Sequence, residues 1–321
     1  MRVARTTGRA APREVSVVFA MPPPTLNYVP CPDAWGGHRM AYWSWGDPAA
    51  ARVVVCVHGL SRQGRDFDVL AQALVQRSPG PLRVVCPDVV GRGRSDWLRE
   101  PQGYALPTYV ADMLALLNQL HAQAPVSQLA WFGTSMGGLI GMGVAGSPKL
   151  PLPVPVERLV LNDVGPVVEW IAIERIGAYL GKLGRYQSPE QAADALWAIS
   201  ASFGPHTPQQ WLALTQPMLR EHPEGGYTLH YDPAIAEPVR GLTREQAQQG
   251  EATLWSLYDA ITARTLVTRG ALSDLLSRET AQAMTRRGPR AQLVEFDGVG
   301  HAPTFVTPEQ VEVAVSFLLQ P

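Results

Sequence analysis

Cysteine is scarce in this chain. There are three in 321 residues, Cys31, Cys56 and Cys86, with no Cys-x-x-Cys pair and no Cys/His spacing of the kind that ligates a metal. A disulfide framework and a metal centre are therefore not expected, and a reducing, cytoplasmic setting fits best. Cys56 and Cys86 fall inside apolar runs and read as small buried thiols. Charge is also modest, at 17% of residues, with 27 basic against 28 acidic side chains and a net charge of −1. Such a balance supplies no global field to recruit nucleic acid or an anionic membrane. Long apolar runs are missing as well, none approaching the roughly 18 residues that a bilayer span requires. What is present is 46% hydrophobic residues, enough for a sizeable core. The expected partner is a small, mostly neutral molecule.

Residues 1–30 read as a disordered leader. Arg2, Arg5, Arg9 and Arg13 precede the short apolar run 15–20 and Met21-Pro22-Pro23-Pro24, a run too short for a secretory core. From about residue 39, short β-rich runs alternate with helical patterns. Met40–Trp45 reads as an edge strand, and Arg52–Val57 as a strand covered on both faces. Helical spacing follows over 66–76, a strand over 83–86, and a helix over 107–121 with proline in its first turn. Strands at 128–132 and 158–161 flank a further helix. This alternation implies an α/β fold with a doubly wound, mostly parallel sheet. It breaks at Gly165-Pro166 and resumes with strands at 265–268 and 292–296 and a helix over 308–319. The expected organisation is an α/β core of residues 31–165 and 251–321, interrupted by a helical cap over 166–250. Such an insertion lies over the C-terminal strand ends, where open α/β sheets bind ligands.

Gly133-Thr134-Ser135-Met136-Gly137 reads Gly-x-Ser-x-Gly between a strand and a helix. A serine at that turn stands above the sheet, with helical N–H groups aimed at whatever it attacks, and the glycines avoid collisions with the adjoining strand and helix. A serine hydroxyl needs a base within hydrogen-bond reach, itself oriented by a carboxylate. His301 follows a strand in the loop Gly298-Val299-Gly300-His301 and is the expected base. For the acid, Asp274 in Gly270-Ala271-Leu272-Ser273-Asp274 is preferred. Asp163, after the strand ending at Leu161, competes with it, and Asp259 in a helical stretch is weaker. Val57-His58-Gly59-Leu60 ends a buried strand, so the N–H groups of Leu60 and Met136 are the expected oxyanion hole. His58 itself reads as structural, bonding the loop.

Together His58-Gly59, Pro87-Asp88 with Gly91–Asp96, the Gly133–Gly138 elbow, Asp274 and Gly300-His301 resemble the α/β-hydrolase superfamily over about residues 38–320. The chain looks like the cofactor-free serine hydrolases with a helical cap, the group of bacterial esterases, enol-lactonases and haloperoxidase-like proteins. The resemblance implies that the Gly91–Asp96 loop packs beside the elbow. It implies a carboxylic-ester hydrolase working through an acyl-enzyme on a simple ester, a lactone, a hydroxyalkanoate oligomer or a polyester, with no cofactor and no metal. A serine at the elbow disfavours dehalogenase and epoxide-hydrolase chemistry, which use a carboxylate there. A carbon–carbon hydrolase, a cofactor-free perhydrolase and a non-catalytic receptor remain alternatives. Within the cap, Trp197, Trp211 and Phe203 are expected in its own core, whereas Trp170 and Tyr231 are assigned to the substrate pocket. Arg62 and Arg65 read as solvated or salt-bridged rather than as carboxylate-binding.

Overall fold

A strand such as Val53-Val54-Val55-Cys56-Val57 has apolar side chains pointing both ways, so it is stable only with helices on each side of its sheet. The computed structural model, which describes residues 22–320, has that arrangement. Its strands are β1 (Thr25–Cys31), β2 (His38–Gly46), β3 (Arg52–Val57), β4 (Arg83–Pro87), β5 (Gln128–Thr134), β6 (Val156–Asn162), β7 (Arg185–Tyr186), β8 (Leu219–Glu221), β9 (Tyr227–Leu229), β10 (Arg264–Gly270) and β11 (Gln292–Phe296). The helices are α1 (Asp68–Arg77), α2 (Leu106–Gln123), α3 (Met136–Gly146), α4 (Trp170–Tyr179), α5 (Pro189–Ser200), α6 (Pro208–Thr215), α7 (Ala236–Arg240), α8 (Arg244–Asp259), α9 (Arg278–Met284) and α10 (Pro308–Leu319).

Eight strands form one sheet in the order β1-β2-β4-β3-β5-β6-β10-β11. All neighbours from β4 to β11 run parallel, while β2 is antiparallel to both β1 and β4. Successive residues of β5 serve opposite faces, as a pleated strand requires. Trp131 joins Met113, Leu116 and Ile140 beneath α2 and α3, and Phe132 joins Leu70, Leu74, Phe305 and Phe317 beneath α1 and α10. β5 and β6 are central and parallel, so the turns that follow both open at one end of the sheet.

The structure departs from the sequence reading at four points. The leader was expected to reach residue 30, but 25–30 belong to β1, which pairs with β2 from Thr25↔Ser44 to Cys31↔His38. Pro30 is tolerated there because an edge strand needs no ladder bond on its outer side. Residues 1–21 lie outside the described residues. Accordingly β2 is an inner strand, not the edge. Within the span 166–250 expected as a cap, α8 already begins at Arg244 and packs on α3, where a Cβ at Gly146 would overlap the Leu257 backbone. The cap also carries a three-stranded antiparallel sheet, β7-β9-β8, whose two- and three-residue strands are too short to leave a period in the sequence.

Cys31, His38 and Asp112 meet behind the β1–β2 hairpin, their ligand-capable atoms within 4.8 Å of one another. His38 engages Asp33 through Nδ1 at 2.9 Å and Asp112 through Nε2 at 3.0 Å. Burial opposes a charge on this imidazole, but the two carboxylates outweigh it and raise its pKa. The hydrogen bond from His38, with the N–H groups of Gly37 and Trp35, holds Asp33 down to about 2. His38 thus ties the hairpin to α2.

Candidate active site

Ser135 sits between β5 and α3 at φ 52, ψ −118, a conformation that L-residues seldom adopt. The surrounding glycines are required by contact. A Cβ at Gly133 would overlap the Gly137 carbonyl, and one at Gly137 would overlap the Val57 carbonyl on β3. The elbow is pinned from β6, where the Asn162 carbonyl accepts from Ser135 N–H at 2.9 Å. The Asn162 amide donates to Thr134 Oγ1 at 3.0 Å and to the Pro303 carbonyl at 2.8 Å, and its Oδ1 accepts from Thr268 at 2.9 Å. One buried asparagine therefore ties the elbow, β10 and the loop carrying His301.

His301 Nε2 lies 3.0 Å from Ser135 Oγ, and its Nδ1 lies 2.7 Å from Asp163 Oδ2. A carboxylate can only accept from Nδ1–H, so Nε2 is left to take the serine proton. Asp163, fully buried and at φ 53, also accepts from Gly270 N–H at 2.8 Å and Ser273 Oγ–H at 2.6 Å. Three donors compensate a carboxylate that has no access to water.

The preference for Asp274 is thereby corrected. The turn after β10, closed by Ser273 N–H on the Gly270 carbonyl at 2.9 Å, aims the Ser273 hydroxyl and Gly270 N–H inward at Asp163. Asp274 faces outward, 39% exposed, and holds Arg175 through two bonds of 2.6 and 2.8 Å. The loop after β10 supplies donors to the acid rather than the acid. Asp259 pairs with Arg287 on the surface.

Leu60 lines the cavity above Ser135, and a Cβ at Gly59 would stand 3.6 Å from Ser135 Cβ. The orientation of the Gly59–Leu60 peptide is set by its neighbours. Val89 N–H can only donate, and it meets His58 Nε2 at 2.9 Å. His58 Nδ1 therefore carries the hydrogen and donates to the Gly59 carbonyl at 2.7 Å, which also accepts from Arg62 N–H at 3.1 Å. In a trans peptide N–H and C=O point opposite ways, so Leu60 N–H turns away from His58. Complete burial pushes His58 down to about 3, which keeps it neutral and the peptide fixed. Arg92, wholly buried, donates to the Leu60 carbonyl at 2.9 Å and to the Val90 carbonyl at 2.7 Å, and touches Met136 Sδ. Met136 opens α3, where a helix leaves its first N–H groups unpaired.

A cavity of about 180 Å³ opens over Ser135 and His301 beneath the cap. Tyr231 lines it, its hydroxyl accepting from Gly181 N–H at 3.1 Å. Trp170 does not. The cavity face of α4 carries Arg175, Ile176 and Tyr179, and at 100° per residue Trp170 stands about 180° from Tyr179, its indole bonded to Glu174. Trp197 and Trp211 pack edge to face in the cap core, 5.1 Å between centroids, while Phe203 reaches the cavity from the same cluster. Arg62 and Arg65 are paired with Asp66 and Asp68. Sequence reasoning missed Arg175, Tyr179, Lys182 and Tyr186, all of which line the cavity. Only Arg175 and Tyr179 lie on α4, whereas Lys182 follows its end and Tyr186 belongs to β7, so no single period in the sequence links the four.

Comparison with known proteins bears on the family and the fold. A family model described as alpha/beta hydrolase family matches residues 54–314. A 3-hydroxybutyrate-oligomer hydrolase of Cupriavidus necator is 52% identical over 92% of this chain and 97% of its own. The crystal structure of an alpha/beta hydrolase from Novosphingobium aromaticivorans superposes with a TM-score of 0.78 at 33% identity, covering 93% of this chain and 99% of that one. The thioesterase domain from the curacin biosynthetic pathway shares the fold, with a TM-score of 0.68 at 22% identity over 92% and 100% of the two chains.

Proposed function

This chain belongs to the alpha/beta hydrolase family, and from that premise we propose that Ser135, His301 and Asp163 are the triad of an esterase cleaving short oligomers of a 3-hydroxyacid. It is a hydrolase of ester bonds. The triad assignment is carried by the unbroken chain from Ser135 Oγ to His301 Nε2 and from Nδ1 to Asp163, at 3.0 and 2.7 Å. The oligomer as substrate is supported by the 52% identical relative of that name.

In the reaction, Ser135 Oγ adds to the ester carbonyl while its proton passes to His301 Nε2. Asp163 supports the imidazolium at Nδ1. The tetrahedral oxyanion is received by the N–H groups of Leu60 and Met136, held ready by His58 and Arg92. Collapse breaks the carbonyl–oxygen bond, and His301 returns the proton to the departing hydroxyl of one hydroxyacid unit. Water, deprotonated by His301, then releases the acyl group from Ser135 and restores the enzyme.

A fluorophosphonate probe is expected to label the protein stoichiometrically at Ser135, and Ser135→Ala to abolish labelling. Chromatography of a 3-hydroxybutyrate trimer incubated with the protein should show dimer and monomer. The alanine variant should lose three or more orders of magnitude in turnover, on the scale of other serine triads. A variant that still releases monomer would remove Ser135 from the mechanism, and an intact trimer after incubation with labelled-competent protein would remove the substrate assignment.

A further inference from the structure

We infer that the cap side of the cavity is a carboxylate subsite, with Lys182 as its cation, that receives the free acid end of the oligomer; this rests on the oligomer-hydrolase reading above. α4 and the segment after it turn Arg175, Tyr179, Lys182 and Tyr186 toward the cavity. The other cations of the cavity are already neutralised. Arg62 holds Asp66 through bonds of 2.6 and 2.8 Å, and Arg175 holds Asp274 at the same distances. Lys182 is exposed to solvent at this wall and has no carboxylate partner among the described residues. Burial raises the phenols of Tyr179 and Tyr186, which keeps both as neutral hydroxyl groups lining the same cavity as Lys182.

The triad side carries a negative group. Behind His301 lies the Asp163 carboxylate, compensated by hydrogen bonds and, among the described residues, by no salt bridge to a Lys or Arg. A substrate acid is thus repelled from the triad and attracted to Lys182, which leaves a neutral ester carbonyl over Ser135. A polymer interior has no free acid to offer, so the subsite favours short oligomers cut near their acid terminus.

The test compares the 3-hydroxybutyrate trimer with its methyl ester, identical except for the terminal charge. For the parent protein, kcat/KM should be higher for the free acid, through a lower KM. In Lys182→Met that acid-to-ester ratio should fall about tenfold, and Lys182→Arg should recover most of it. High salt should shrink the parent ratio toward one, since an exposed ammonium is screened. Both substrates are measured on one preparation, so incomplete folding cancels from the ratio. A parent ratio near one, or a ratio unchanged in Lys182→Met, overturns the subsite while leaving the esterase reading intact. A parent protein that cleaves neither trimer overturns the oligomer-hydrolase reading itself.

Discussion

Asp163 holds a left-handed backbone at φ 53 and loses all contact with water, yet it is an aspartate and not a glycine. Short polar side chains tolerate that conformation best among L-residues, and the three donors around the carboxylate explain why the site is maintained. Two acids follow neighbouring strands, Asp163 after β6 and Asp274 after β10; the sequence pattern favours Asp274, whereas the structure sets Asp163 against His301. The decision lies in where a Ser273 hydroxyl points. Replacing Asp163 with asparagine puts the wrong tautomer on His301, and kcat should drop by about 10⁴-fold, as it does in other triads. Asp274→Asn should change ester turnover by less than tenfold. Steady-state kinetics on a p-nitrophenyl ester decides between them; the reverse ranking would restore Asp274 as the acid.

At the scale of elements, glycine carries two different meanings here. In α3 the Gly137 position touches the β3 backbone, so Gly137→Ala forces apart the strand and helix that shape the elbow. Overpacking costs about 1–3 kcal/mol or more where backbone cannot yield, and probe labelling should fall with it. Gly177 lies inside α4 with nothing within 4 Å of an added Cβ. Gly177→Ala should therefore stabilise the protein by about 0.5–1 kcal/mol, the ordinary gain in a helix interior. Urea unfolding of both variants checks the pair, and equal effects of one sign would refute the contrast. Elements were legible where they were long or continuous: β11 and α10 match the sequence reading residue for residue. β1 was lost inside the leader because Pro30 interrupts it, and β7, β8 and β9 because two or three residues set no periodicity.

For the whole molecule, titration of buried groups shapes stability. His58 is depressed to about 3, so its contribution is complete above the unfolded value near 6.5 and fades as pH falls toward 3. Asp88, raised to about 6 chiefly by burial, acts in the opposite sense: stability is lost as pH rises from 3.8 to about 6. The two therefore act against each other over that interval. His38 is raised, so its clamp is complete below about 6.5 and is lost as pH rises through its folded value. Urea unfolding at pH 6 and pH 9 should show the parent losing more stability on the alkaline side than His38→Gln does. A parent–variant difference independent of pH would mean that His38 is not charged in the fold.

Sequence alone determined what is decided over a few neighbouring residues. The elbow around Ser135 follows from glycine spacing, because sterics between a strand and the helix it enters are local. The parallel sheet follows from apolar runs, because a strand apolar on both sides must be covered on both. Tertiary structure decided which carboxylate reaches His301, a partner 138 residues away, and which face of α4 looks down on Ser135. Those choices depend on loops meeting across the sheet and on the rotation of a helix over a cavity. Neither leaves a trace in the residues before and after it.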